Sequence, residues 1–357
     1  MKKYFRWFCL LALLLSIVIC SFASGQESKG KEISIGFVTY DLTVSYQRMM
    51  IEAAQKKADE LGIRLIVFSS DWDATKHLNI IDNFITMEVD GFISGSDPDP
   101  SAVIPGIKKL NEAGIPVIDL DNGALGGKVD YYIGFDIKES SARAAEMMMQ
   151  ELKSRNNGKV PSGIVIEVMG ELIEGFASEC SKGFHSVIDQ YKELNVIQGD
   201  GQWNNDSAFN VVSDFLTRFG DEVVAIYVHT PDCMGVGTVN AIKAAGMDPK
   251  KIVLTGICIG PEGIELLKKG EVTSIVEQPI GISAEMAVEL LNKIITKQPG
   301  LPKIGDTIIQ EGALWSPAPV IESPYADGAY IKLTGPLVPQ EVSPDDPRLW
   351  ENIPIFD

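Results

Sequence analysis

Reactive side chains are sparse in this 357-residue chain, and their spacing does not assemble a catalytic centre. His77, His185 and His229 stand apart, and no HExxH or CxxC spacing is present to build a metal site. There is no GxSxG elbow and no phosphate-cradling P-loop. Gly235 and Gly237, with Thr238, imitate the opening of a dinucleotide fingerprint, but the third glycine is missing and Ala241 comes one residue late. Asp71 and Asp73 flank Trp72 in a segment that reads as the edge of a loop. The expectation is a protein without turnover, cofactor or metal. What remains is hydrogen-bonding capacity just past apolar runs: Asp121 with Asn122, Asp232, and Glu277 with Gln278. A carboxylate accepts two hydrogen bonds in one plane, and charge-assisted bonds are about twice as strong as neutral ones. Asp121 also reads as an ordinary loop or cap residue, and Asp232, opening a helix, equally as that helix's cap.

The elements that must carry these groups are legible from periodicity. Residues 33–40 form an apolar strand, followed by a helix whose apolar positions Tyr46, Met49, Met50, Ala53, Ala54, Ala58 and Leu61 recur every three or four residues until Gly62 stops it. On that stripe alone Tyr46 reads as core. Further strands are expected at 64–68, 91–93, 115–120, 131–135, 163–168, 194–197, 223–228, 252–255 and 272–276, with helices between nearly all of them. Apolar strands alternating with helices imply parallel sheets buried on both faces. Asp136 and Glu139 have the spacing of a capping box and divide the series into two similar halves. The predicted fold class is α/β: two doubly wound, Rossmann-like lobes joined by a three-segment hinge, with ligands at the carboxyl ends of the strands. The division expected is a signal peptide at 1–23, a first lobe from 31–137 plus 278–304, a second from 138–277 plus 305–335, and a tail at 336–357. The crossings then fall near Lys138, at 278–281, and between 304 and 330.

Lys2, Lys3 and Arg6 precede an apolar run over 8–19 and small residues at 21–25, the layout of a cleaved secretory leader. The run is shorter than the roughly 20 residues a membrane span needs. Ile17-Val18-Ile19-Cys20 also resembles a lipoprotein signal, which makes Cys20 a candidate lipid anchor. The formal charge is −18, and cleavage removes three cations and no anion. Such a surface repels nucleic acid and anionic lipid. Two of the five cysteines lie in the leader; the odd remainder, Cys180, Cys233 and Cys258, is a poor disulfide framework.

Seven segments in order, IGFVTYDLTVSYQRMMIEAAQKKADELG, VDGFISGSDPDPSAV, NEAGIPVIDLDNG, YYIGFDIKES, GQWNNDSA, AIYVHTPDCMGVGTVNAIKAAG and TSIVEQP, resemble the type I periplasmic solute-binding proteins of the sugar group, such as the ribose and galactose binding proteins of ABC importers. The likeness runs from 33 to about 295, and the Pro-rich remainder is similar to the longer ends of the rhamnose and autoinducer-binding branches. It implies a monomer in the periplasm that closes two lobes on a small sugar and presents the closed state to an import permease. Presentation to a membrane histidine kinase or chemoreceptor is the alternative. The resemblance also implies that Tyr46 and Trp203 stack on the sugar and that Asp121 and Asn122 accept and donate at its hydroxyls. By the same likeness Asp232, Glu277 and Gln278 line the cleft, with Asp41 and Glu174 in loops above it. Three departures stand out: Ser178 or Cys180 replaces a cleft arginine, Cys258 an aspartate, and Pro231 an asparagine. They imply a ligand smaller, less hydroxylated or differently oriented than the common hexoses. They also suggest that Cys180 and Cys258 both face the cleft, close enough to pair when oxidised.

Overall fold

The computed structural model describes residues 32–96, 99–171, 175–278, 280–349 and 352. The expected leader, Cys20 and Glu174 lie outside the described residues. No helix among those described is long and apolar enough to cross a membrane.

The first lobe is built on an eight-stranded sheet, and the order of its strands explains where the cleft sits. Strands β1 (Ser34–Thr39), β2 (Arg64–Ser69), β3 (Gly91–Ser94), β4 (Val117–Leu120) and β5 (Lys128–Phe135) run parallel in the order β5-β4-β3-β1-β2. Helices α1 (Ser45–Leu61), α2 (Ala74–Thr86) and α3 (Ile104–Glu112) are the crossovers. Successive β1 residues serve opposite faces: Ile35 and Phe37 pack with Met50 and Ala54 of α1, whereas Val38 packs with Ile81 and Phe84 of α2. Burying side chains of this size contributes roughly 1.5–3 kcal/mol each, which is why both faces must be covered.

The second lobe repeats the plan. Strands β6 (Gly163–Met169), β7 (Leu194–Asp200), β8 (Val223–Val228), β9 (Val253–Ile257) and β10 (Ser274–Val276) lie in the order β10-β9-β8-β6-β7, all parallel. Helices α4 (Ile137–Arg155) and α5 (Gly175–Ile188) cover one face, and α6 (Asn205–Phe219), α7 (Pro231–Ala244) and α8 (Pro261–Lys268) the other. Asp136 caps α4 by accepting from the Glu139 N–H at 2.9 Å, while the Glu139 carboxylate pairs with Lys332 instead of completing a capping box. Helix α9 (Gly281–Ile295) returns to the first lobe against α1.

The chain divides differently from expectation after residue 304. Strands β11 (Thr307–Ile308), β12 (Ala318–Glu322) and β13 (Asp327–Leu333) extend the first lobe's sheet, β13 lying parallel to β5. Segment 305–335 therefore belongs to the first lobe, and the third crossing falls between Leu333 and Leu337. Its reason is packing: Ala318, Val320, Ile331 and Leu333 complete the apolar cluster begun by Ile118 and Ile133. Nor is 336–357 a bare tail, because β14 (Leu337–Val338) pairs antiparallel with β10 and Val338, Val342 and Leu349 are buried in the second lobe.

Candidate functional site

The carboxyl ends of both sheets face each other across a cavity of about 150 Å³. From the first lobe come Tyr40, Val44, Tyr46, Trp72, Ser96, Asp121 and Asn122; from the second, Phe176, Trp203, Thr230, Asp232, Cys233 and Cys258; Gln278 enters at a crossing. Seven of the residues expected at the site thus line one space: Tyr46, Asp121, Asn122, Trp203, Asp232, Cys258 and Gln278.

Local backbone geometry aims several of these side chains. Trp72 (φ 60°), Asp121 (φ 56°), Trp203 (φ 52°) and Cys258 (φ 59°) each lie in the left-handed region within three residues of a strand end. For residues other than glycine this costs of order 1–3 kcal/mol each and persists only where surrounding contacts over-determine it. At Asp121 the Tyr132 hydroxyl donates to the backbone carbonyl, and Asp119 accepts from the Ala124 N–H at 3.0 Å just beyond. At Trp203 the indole packs edge-on to Phe176, ring centroids 5.6 Å apart. Its other neighbour is the bare backbone of Gly170, where an added Cβ would lie 1.9 Å from an indole carbon.

The electrostatics follow from burial. The Tyr46 hydroxyl donates to Asp121 at 3.2 Å. Burial pushes Asp121 up to about 6 against the hydrogen bonds it takes from Ser96 and Tyr46. Burial likewise pushes Asp232 up to about 6, opposed by a hydrogen bond from Ser45 of the facing lobe. Burial and then the Asp121 carboxylate hold the Tyr46 and Tyr40 phenols well above the ordinary phenol range. Asp232 is not the cap residue of α7, which is Thr230, and its carboxyl lines the cavity. The Gln278 side-chain nitrogen is buried in the lining with no hydrogen-bond partner among the described residues.

Several expectations need correction. Glu277 is fully buried behind the cavity, where its carboxylate accepts the Gln278 N–H at 2.7 Å and the Ile259 N–H at 3.3 Å, and so braces the crossing. Cys180 is fully buried in the second lobe's core with Phe184 and Tyr227, away from the cavity that Cys258 lines; the two form no disulfide, and Ser178 faces the cleft mouth instead. Asp41 sits at the mouth, accepting from the Trp72 indole at 3.3 Å. Trp72 is no loop ornament: its ring lies 4.0 Å from that of Tyr40 and forms a wall of the cavity. An aromatic standing directly past a strand end was the readable signal for both. Phe176 had none.

The histidines do not stand apart either. His229 and His185 donate to opposite oxygens of the fully buried Glu167, each at 2.9 Å, and Gln198 adds a third bond at 2.8 Å. Donating to the Glu167 and Asp189 carboxylates raises His185 to about 9, while burial opposes this. The other His229 nitrogen accepts the Gly170 N–H at 3.2 Å, so this network positions the backbone against which Trp203 rests.

Residues 35–299 match the periplasmic binding protein domain family, and the chain belongs to it. It is 28% identical to the ribose import binding protein of Haemophilus influenzae over 284 residues, covering 80% of this chain and 91% of that one. It is 26% identical to the D-apiose import binding protein of Paraburkholderia graminis over 310 residues, covering 85% and 93%. A solute-binding protein of Actinobacillus succinogenes, solved with bound D-allose, superposes with a TM-score of 0.68 at 24% identity, covering 76% of this chain and 94% of that one. The fold is the two-lobed type I form. These are binding proteins, not enzymes, and membership implies a periplasmic location.

Proposed function

We propose that this protein captures a small sugar between its lobes and delivers it to the permease of an ABC importer. The observation that carries the reading is the lining of the interlobe cavity: aromatic faces from both lobes, edged by carboxyls and a buried amide donor without a partner. Sugars present apolar ring faces rimmed by hydroxyls, and this lining complements both. Tyr46 and Trp203 stack on the ring, joined by Tyr40, Trp72 and Phe176. Asp121, Asn122, Asp232 and Gln278 take its hydroxyls. Closing brings both sets onto the ligand at once, so ligand favours the closed state. The import binding proteins among the relatives favour delivery to a permease over a sensor. The N-terminal leader is removed on export near Ala23, with acylation at Cys20 as the other processing route.

A thermal-shift screen across pentoses, hexoses, sugar alcohols and furanosyl compounds tests the ligand class, since a ligand bound only by the native state raises the midpoint. A midpoint that moves with an amino acid or nucleoside and with no sugar refutes it.

A further inference from the structure

The cavity lacks one charge. Asp121 and Asp232 enter it from opposite lobes, and no Lys, Arg or His lines it among the described residues. Both carboxyls act on the same ring, that of Tyr40. The mouth outside adds Asp41, Asp99, Glu171 and Glu179, and its one cation among the described residues, Lys182, is tied to Glu179 at 2.6 Å. Carboxylates withdrawn from water are costly unless paired. A cavity that brings two together with no cation of its own leaves the balancing charge to its guest. The rest of the lining agrees, because the faces of Tyr40, Tyr46, Trp72, Phe176 and Trp203 attract a cation through their ring quadrupoles. The acidic mouth also raises the local concentration of cations.

The guest is not a bare cation, however. The unpartnered amide N–H of Gln278, fully buried in the same lining, needs an oxygen acceptor. A hydroxyl or ring oxygen on the same small molecule supplies it.

Building on the sugar reading above, we propose that the ligand is a sugar carrying a protonated amine. Its ammonium sits between Asp121 and Asp232, its ring lies against Trp203, and one oxygen accepts from Gln278. The two carboxyls, each pushed up to about 6 by burial, regain ordinary acidity beside the ammonium. Binding near pH 6 therefore releases protons. The other titratable groups facing these carboxyls are Tyr40, Tyr46, Tyr132, Cys233, Cys258 and Glu262, none of them a cation.

The test is isothermal titration calorimetry of the full mature protein against hexosamines and aminopentoses with the amine at different ring carbons. Each is paired with its neutral parent sugar, and choline serves as a non-sugar cation. The expected result is an amino sugar binding at least tenfold more tightly than its parent, with net proton release at pH 6 and affinity falling about tenfold or more from pH 7 to pH 5. D121N, measured at pH 7, should narrow the gap between amino sugar and parent. A parent sugar binding as tightly as its amine at both pH values overturns the charge assignment and leaves the sugar reading standing. Choline binding more tightly than every sugar overturns the sugar reading itself. Failure of every amino sugar to bind refutes the proposal.

Discussion

Gly170→Ala is the most informative single change, because it strikes a ring without touching any group that bonds to ligand. The added Cβ would lie 1.9 Å from Trp203 Cζ2 and 2.1 Å from Cε2 and Cη2, so the indole must shift by roughly 1.5–2 Å to reach ordinary carbon contact near 3.5–4.0 Å. Gly170 lies outside the left-handed region, so the substitution adds no backbone strain of its own. Overpacking of this kind costs about 1–3 kcal/mol of stability. An aromatic side chain buries about 150–250 Å² when fully covered, and one face covered by a ligand is roughly a third of that. At ~25 cal/mol per Å² the displaced face represents about 1.3–2 kcal/mol of binding, or about tenfold to thirtyfold in Kd. Calorimetry with the sugar that most stabilises the unmodified protein reads this directly, and circular dichroism checks that the variant is folded. A folded G170A protein with unchanged affinity would refute the role given to the indole.

Removing 336–357 takes Val338, Val342 and Leu349 out of the second lobe, a loss of about 5 kcal/mol or more at roughly 1.5–3 kcal/mol per side chain. The truncated chain should unfold at markedly lower urea, and an unchanged midpoint would contradict the packing described. Glu167→Gln should lower His185 from about 9 toward the ordinary histidine range, with Asp189 retaining part of the shift; a value still at 9 by NMR titration would show that Glu167 is not the main cause. His77 is fully buried, and burial lowers it to about 4, so the folded state resists its protonation while the unfolded chain accepts it near 6.5. Stability is therefore lost as pH falls from about 6.5 to 4, by up to about 3 kcal/mol. His77→Gln should flatten that decline in urea titrations, and an identical decline in the variant would locate its source elsewhere.

The parallel strands were readable because residues buried on both faces leave near-continuous apolar runs, as at β1 and β8, and Asp136 announced the start of α4. The β12–β13 hairpin was not, since Ala318–Glu322 is half-exposed and the hairpin's place in the first sheet depends on the pairing of β13 with β5, nearly 200 residues earlier. At the site, strand ends pointed to Asp121, Asp232 and Gln278. Glu277 and Cys180 were misplaced because one residue along an extended strand end, or two along a helix, just over half a turn, exchanges cavity for core. The left-handed turns that aim Trp72 and Trp203 carry no glycine or asparagine at those positions, so nothing in the residue types announced them. The meeting of His185 and His229 on Glu167 joins three elements, β6, α5 and the end of β8, and arises only on folding.

Capture by closure is tested most directly by small-angle X-ray scattering of the mature protein with and without its tightest-binding sugar. The hydrogen bond between Ser45 and Asp232 already spans the lobes, and a ligand touching both Tyr46 and Trp203 should hold that closed arrangement. A smaller radius of gyration at saturating sugar is the predicted result. A radius that does not change on saturation would contradict capture by closing lobes.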